Sequence, residues 1–115
     1  MGGAPTMSQA EVADRLTILE LKYENGLHAR DEHTRLASCC QVPESMMNQL
    51  RRINRQGWDA VGRVTEHFEG RAVLIDSEII EQCRRAHASN KERIAMKNEI
   101  SRWFGGSAEA KTWAR

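Results

Sequence analysis

Apolar residues recur every three or four positions in three separate stretches of the chain, and this spacing predicts α-helices. The first helix is predicted to begin at Ser8, because Ser8 and Glu11 match a capping box. It is predicted to end at Asn25-Gly26, a pair that tolerates a left-handed cap. Its apolar face is predicted to carry Val12, Leu16, Leu19, Tyr23 and Leu27. A weaker, mostly polar helical stretch over 27–40 either forms a second helix or extends the first.

Two longer helices are predicted in the rest of the chain. Pro43 suits the first turn of a helix over about 44–68, and Glu69-Gly70 ends it. The seam of this helix is predicted to be Met47, Leu50, Ile53 or Asn54, Gly57, Val61, Val64 and Phe68. The last helix begins near 73 or 77 and ends at Gly105-Gly106. Its seam is predicted to be Ile79, Cys83, Ala86, Asn90, Ile94, Met96 or Lys97, Ile100 and Phe104.

Two long helices joined by a short turn predict an antiparallel hairpin. The predicted fold class is therefore all-α: a long antiparallel helical hairpin with an additional N-terminal helix. We expect one helical domain over 8–106, preceded by a leader over 1–7 and followed by a less ordered tail over 107–115. Because two or three helices leave part of their apolar faces uncovered, we also expect a homodimer or higher homo-oligomer in which the copies cover these faces and complete a helical bundle.

Composition excludes several classes of protein. The 115 residues are 40% apolar and 29% charged, which is typical of a globular domain. A net charge of +1 does not suggest a nucleic-acid binder. No apolar run approaches the length of a transmembrane helix, which is about 18 residues or more. The three cysteines are an odd number and two are adjacent, which favours a reducing, cytoplasmic compartment.

Two groups of polar residues have a spacing that could form a binding site. Asn90, Arg93 and Lys97 share one face of the last helix, where an amide, a guanidinium and an ammonium could hold a phosphate or carboxylate. Asp14 and Lys22 flank the apolar run of the first helix and could reach a neighbouring helix. From spacing alone, solvated surface charges are the favoured interpretation of both groups.

Metal and enzyme signals are weaker. Cys83 and His87 have a spacing compatible with a zinc site, but there is no Cys-x-x-Cys pair. Glu78 and Glu81 resemble one of the two carboxylate pairs of all-α nucleotide pyrophosphohydrolases, whose second pair on the next helix is missing here. No phosphate-binding glycine loop or nucleophile elbow occurs. We therefore expect no catalytic residue, no metal and no cofactor.

A small group of arginines gives the middle helix a basic face. Arg51, Arg52 and Arg55 lie there, and Trp58 follows one turn later. Basic residues beside an aromatic ring could hold a nucleotide base, although solvated arginines are the commoner outcome.

The order of motifs resembles an uncharacterised bacterial all-helical family found in sugar-transfer and cell-envelope gene neighbourhoods. Residues 14–22 read Asp-Arg-Leu-Thr-Ile-Leu-Glu-Leu-Lys, which is similar to the opening of that family. The family's later Asn-x-x-x-Trp segment is matched by Asn54 and Trp58. Its Asn-x-x-Arg-x-x-x-Lys-x-x-Ile helix is matched over 90–100, and its short tail is echoed over 107–113. The chain departs from the family after the tryptophan, where Val61-Gly62 replaces a Glu-Asp pair.

The resemblance implies that a common set of residues converges between the helices. These residues are Asp14, Lys22, Asn54, Trp58, Asn90, Arg93 and Lys97. The alternative is a purely structural polar network. We expect a non-catalytic binding or regulatory module for a small anion, such as a nucleotide or sugar phosphate. The alternatives are a metal-dependent nucleotide or nucleotide-sugar hydrolase, and a structural or adaptor protein without a small ligand.

Overall fold

The computed structural model describes residues 7–27 and 30–105, and these residues form four helices and no strand. The helices are α1 (Gln9–Glu24), α2 (Arg30–Cys39), α3 (Glu44–Phe68) and α4 (Asp76–Trp103). The predicted all-α class and the long hairpin are confirmed. The predicted tail over 107–115 and the leader before Met7 lie outside the described residues.

Local signals fix the ends of these helices. The Ser8 hydroxyl accepts a hydrogen bond of 3.1 Å from the Glu11 amide, which caps α1 as predicted. Gly26, Gly70 and Gly105 have φ values of 82°, 79° and 78°, a conformation that side chains disfavour, and each follows the end of a helix. Because Gly26 turns the chain out of α1, α2 is a separate helix and not a continuation of α1.

α3 and α4 pack as an antiparallel hairpin joined by the turn over 69–75. The His67 ring stabilises this turn, since its Nδ1 accepts a hydrogen bond of 3.0 Å from the Leu74 amide. Near the middle of the hairpin the two backbones approach closely. Ser89 donates a hydrogen bond of 2.6 Å to the Ile53 carbonyl, directly opposite Gly57.

α1 lies against the half of the hairpin that contains the start of α3 and the end of α4. The apolar core is built there from α1, α3 and α4 and is completed by Leu36 of α2 and Val42. Gln9 holds the α2–α3 connection, because its side chain bonds to both the Cys39 carbonyl and the Gln41 amide. The rest of the hairpin, residues 61–88, is here named the distal half, and α1 leaves it largely uncovered.

Several predicted seam positions are wrong. Tyr23 on α1, Leu27 after its end, and Val61 and Phe68 on α3 are exposed. In the first half of α4 the buried positions are Gln82 and Ser89, and Cys83 and Asn90 are exposed. The reason is that Ser89 bonds directly to α3, which turns the neighbouring Asn90 away from the core.

Candidate functional site

A buried carboxylate lies at the junction of α1, α3 and α4. Asp14 is only 6% exposed. Both of its carboxylate oxygens accept hydrogen bonds from Arg93 Nε, at 3.0 and 3.1 Å. The Asn54 amide also donates to Asp14 Oδ1, at 3.1 Å. Charged and neutral donors from two other helices therefore compensate for the burial of this side chain.

Thr17 and Lys97 extend this network on two sides. The Thr17 hydroxyl donates to the Asp14 carbonyl at 2.9 Å and accepts from the Asn54 amide at 2.7 Å. Lys97, only 5% exposed, places its ammonium 2.8 Å from Glu11 Oε1 and 4.0 Å from Asp14 Oδ2. The network therefore ties α1 to both helices of the hairpin.

An open groove of about 890 Å³ begins beside this network and runs into the distal half of the hairpin. Asn54, Trp58, Asn90 and Arg93 line it, which are four of the seven residues predicted from the sequence. Gly57, Val61, Gly62 and Ala86 also line the groove and leave room in it. No atom lies within 4 Å of where a Cβ on Gly62 would be.

Hydrogen-bond donors along the groove are only partly used. Arg93 Nη1 donates to Asn90 Oδ1 at 3.2 Å. Within the described ranges, Arg93 Nη2, the Asn90 amide nitrogen and the Trp58 indole have no hydrogen-bond partner. These donors, two on α4 and one on α3, are available to an acceptor-rich ligand.

The groove also contains charged residues that the sequence analysis did not identify. Arg63 and Arg71 line it, together with the carboxylates of Asp59 and Glu66. Arg71 pairs with Glu69, whereas Arg63 forms no ion pair with any residue that the structure describes. The groove therefore carries both cationic donors and anionic acceptors. Their mixture suits a ligand that has hydroxyl groups as well as a negative charge.

The other predicted residues lie apart from the groove or behind it. Asp14 and Lys97 belong to the buried network and hold Arg93 and α1 in place. Lys22 lies in the last turn of α1, on the side of α2. Hydrogen bonding from Arg15 lowers the pKa of the Glu32 carboxyl on α2, and the charges of Arg35 and Lys22 contribute to this shift.

The predicted basic face of α3 is largely neutralised. Arg51 donates hydrogen bonds to Glu20 at 2.9 Å and to Glu44 at 2.6 Å, and the bond to Glu20 is the main reason that the pKa of Arg51 is raised. Arg55 bonds to both oxygens of Glu24. These arginines therefore hold α1 on the hairpin and are not available to a nucleotide.

The carboxylates suggested by the hydrolase alternative have local partners. Glu78 accepts a hydrogen bond from the Ile75 amide at 3.0 Å, and Glu81 bonds to Arg84 and Arg85. Within residues 7–27 and 30–105, no group of three or more His, Cys, Asp or Glu side chains is placed to hold a metal ion. In the same ranges no helix is long and apolar enough to cross a membrane.

Comparison with known proteins adds no further assignment. No family model matches the chain, and no similar protein was found among curated proteins or solved structures. The resemblance to the bacterial helical family therefore stays a prediction.

Proposed function

We propose that the chain is a small binding or regulatory module that holds a phosphorylated small molecule, a sugar phosphate or a nucleotide, in the groove between α3 and α4. The observation that carries this proposal is the lining of the groove. Four residues chosen from the sequence line it, and unused donors of Arg93, Asn90 and Trp58 occur among them.

The chemistry of the lining selects the class of ligand. Arg63 and Arg93 supply planar guanidinium groups, which pair well with phosphate oxygens. The carboxylates of Asp59 and Glu66 would repel a ligand that is only anionic but accept hydrogen bonds from sugar hydroxyls. Trp58 offers an aromatic surface for a sugar ring or a base. A ligand that combines phosphate with hydroxyl groups uses all of these residues.

In this proposal the buried network positions the groove and does not itself bind the ligand. Asp14 already accepts hydrogen bonds from Arg93 Nε and the Asn54 amide, and Lys97 pairs with Glu11. These bonds orient Arg93 so that its remaining nitrogen is available at the groove. Asp14 therefore contributes indirectly by fixing the guanidinium, and Lys97 contributes by pairing with Glu11 on α1.

A thermal-shift screen tests the proposal. Sugar phosphates and nucleotides are compared with the same sugars lacking phosphate and with inorganic phosphate. A ligand present at about one hundred times its Kd stabilises a protein by about 2.7 kcal/mol, so we expect a rise in Tm of several degrees. The rise should depend on both the phosphate and the sugar or base.

Variants of the groove identify the site. Arg63→Gln and Trp58→Ala are expected to weaken binding by roughly tenfold each, as expected for the loss of a charged hydrogen bond or an aromatic contact. Arg52→Gln is the matched control, because Arg52 is exposed on the same helix and does not line the groove. The proposal is wrong if no compound raises the Tm, or if the control weakens binding as much as Arg63→Gln. Metal-dependent turnover of a hit would favour the hydrolase alternative.

We also propose that this module is a homo-oligomer. Its support is the distal half of the hairpin, where large apolar side chains are exposed and no helix of the described chain covers them. Monomeric proteins rarely leave such patches in water.

A further inference from the structure

Most of the positive charge in the groove is already neutralised within the chain. Three arginines line the groove: Arg63, Arg71 and Arg93. Two of them pair with carboxylates that do not line it, since Arg93 Nε lies 3.0 Å from Asp14 Oδ1 and Arg71 pairs with Glu69. Of the three, only Arg63 has no ion pair within the described ranges. Arg63 is therefore the arginine whose charge remains available to an anionic group of a ligand.

Two carboxylates flank Arg63 on the same helix. Asp59 lies four residues before Arg63 and Glu66 three residues after it, so both lie about one turn away on the same face of α3. Both line the groove, are exposed, and form no ion pair with a residue that the structure describes. One phosphate group can pair with Arg63. A second phosphate attached to the first would meet these two carboxylates, and like charges repel.

At the other end of the groove the cation is already paired. An α-helix rises about 1.5 Å per residue, so Asn54 lies roughly 13 Å from Arg63 along α3. Asn54 and Arg93 both donate hydrogen bonds to Asp14 there, which leaves Arg93 as one half of a neutral pair. The unused donors at this end, on Arg93 and Asn90, therefore suit neutral hydroxyl or carbonyl groups better than a second phosphate.

We infer that the ligand of this groove carries a single phosphate group, which Arg63 binds, and that Asp59 and Glu66 exclude ligands with a diphosphate or triphosphate. The ligand is then a monophosphate ester of a sugar or a nucleoside, and its neutral part extends from Arg63 past Trp58 toward Asn90. Repulsion of the wrong ligand is a common source of specificity in binding sites. This inference rests on the proposed function and narrows its class of ligand.

Calorimetric titrations with matched ligands test the inference. Adenosine mono-, di- and triphosphate form one series, and glucose 1-phosphate and glucose 1-diphosphate form another, all in a metal-free buffer of constant ionic strength. We expect the monophosphate of a series to bind most tightly and each added phosphate to weaken binding roughly fivefold, the effect of one like-charge contact in water. A diphosphate that binds as tightly as its monophosphate overturns the inference but leaves the proposed function. A lack of binding by every compound overturns both.

Variants without the carboxylates identify the groups that exclude the second phosphate. Glu66→Gln and Asp59→Asn are each expected to reduce the preference for the monophosphate by about twofold, because the two carboxylates share the repulsion. Both side chains are exposed, so the helices should be retained, which circular dichroism checks. Glu99→Gln is the matched control, since Glu99 is exposed on α4 and does not line the groove. An unchanged preference in the first two variants, or an equal reduction in the control, overturns the role assigned to the carboxylates.

Discussion

Replacing Arg93 with methionine is expected to lower the free energy of unfolding by about 3 kcal/mol, because it removes the nearer of the two cations beside a buried carboxylate. Asp14 is 6% exposed, and both of its carboxylate oxygens accept hydrogen bonds from Arg93 Nε. We place the loss near the lower end of the usual range of about 3–5 kcal/mol, since Asn54 still bonds to Asp14 and Lys97 lies 4.0 Å away. Urea unfolding followed by circular dichroism measures this loss.

Arg55→Met provides the matched control. Arg55 also places one nitrogen near both oxygens of a carboxylate, Glu24, at 2.7 and 2.9 Å. The side chains of this pair are 52% and 50% exposed, so water already solvates the charges. Removing an exposed ion pair costs about 1 kcal/mol or less. Equal losses for Arg93→Met and Arg55→Met would contradict the proposed role of burial.

A double variant separates stability from binding. Asp14→Leu combined with Arg93→Met removes both charges, and apolar replacement of a buried ion pair is often neutral or stabilising. Thr17 still accepts from the Asn54 amide, and Glu11 still pairs with Lys97. We therefore expect the double variant to regain most of the stability that Arg93→Met loses. If Arg93 also binds the ligand, the double variant will be stable and still fail to bind it.

The helices themselves could be predicted from the sequence because their ends are set by neighbouring residues. Pro43 precedes α3, and a glycine with positive φ follows α1, α3 and α4. Proline fixes its own φ, and glycine adopts positive φ at little cost. Each residue can therefore set the end of a helix without tertiary contacts. This is why the predicted hairpin and the structure agree closely.

The packing of α4 could not be predicted in the same way. Its buried positions include Gln82 and Ser89, which hydrophobic periodicity does not distinguish from surface residues, and Lys97, which was predicted only as an alternative to Met96 although both are buried. Lys97 is buried because Glu11, far away in the sequence, supplies a counterion at 2.8 Å. The residue pattern of one helix does not show which side chain of another helix will contact it in the folded protein.

The candidate site shows the same limit. The motif order selected Asn54, Trp58, Asn90 and Arg93, and all four line the groove. It also selected Lys22, which lies on the side of α2. It did not select Arg63 and Arg71, because neither belongs to a motif and the turn over 69–75 alone brings Arg71 back to the groove.

Gly57→Ala is expected to destabilise the chain by about 1–3 kcal/mol, because it breaks the close approach of α3 and α4. A Cβ on residue 57 would lie 2.8 Å from the Ser89 hydroxyl oxygen, nearer than such atoms approach. Ser89 would have to rotate away and lose its hydrogen bond of 2.6 Å to the Ile53 carbonyl. The loss in the free energy of unfolding is then that of a buried hydroxyl group without a hydrogen-bond partner. Urea unfolding at one protein concentration measures this loss.

Gly62→Ala is the control for this prediction, because residue 62 lies in the same helix and a Cβ there meets no atom within 4 Å. Alanine is the better helix former, so Gly62→Ala should stabilise the chain by about 0.5–1 kcal/mol. Adding Ser89→Ala to Gly57→Ala removes the hydroxyl and leaves the nearest contact, the Ser89 Cβ, at 3.4 Å. This double variant should be more stable than Gly57→Ala alone. If Gly57→Ala and Gly62→Ala stabilise the chain equally, the helices do not approach closely at Ser89.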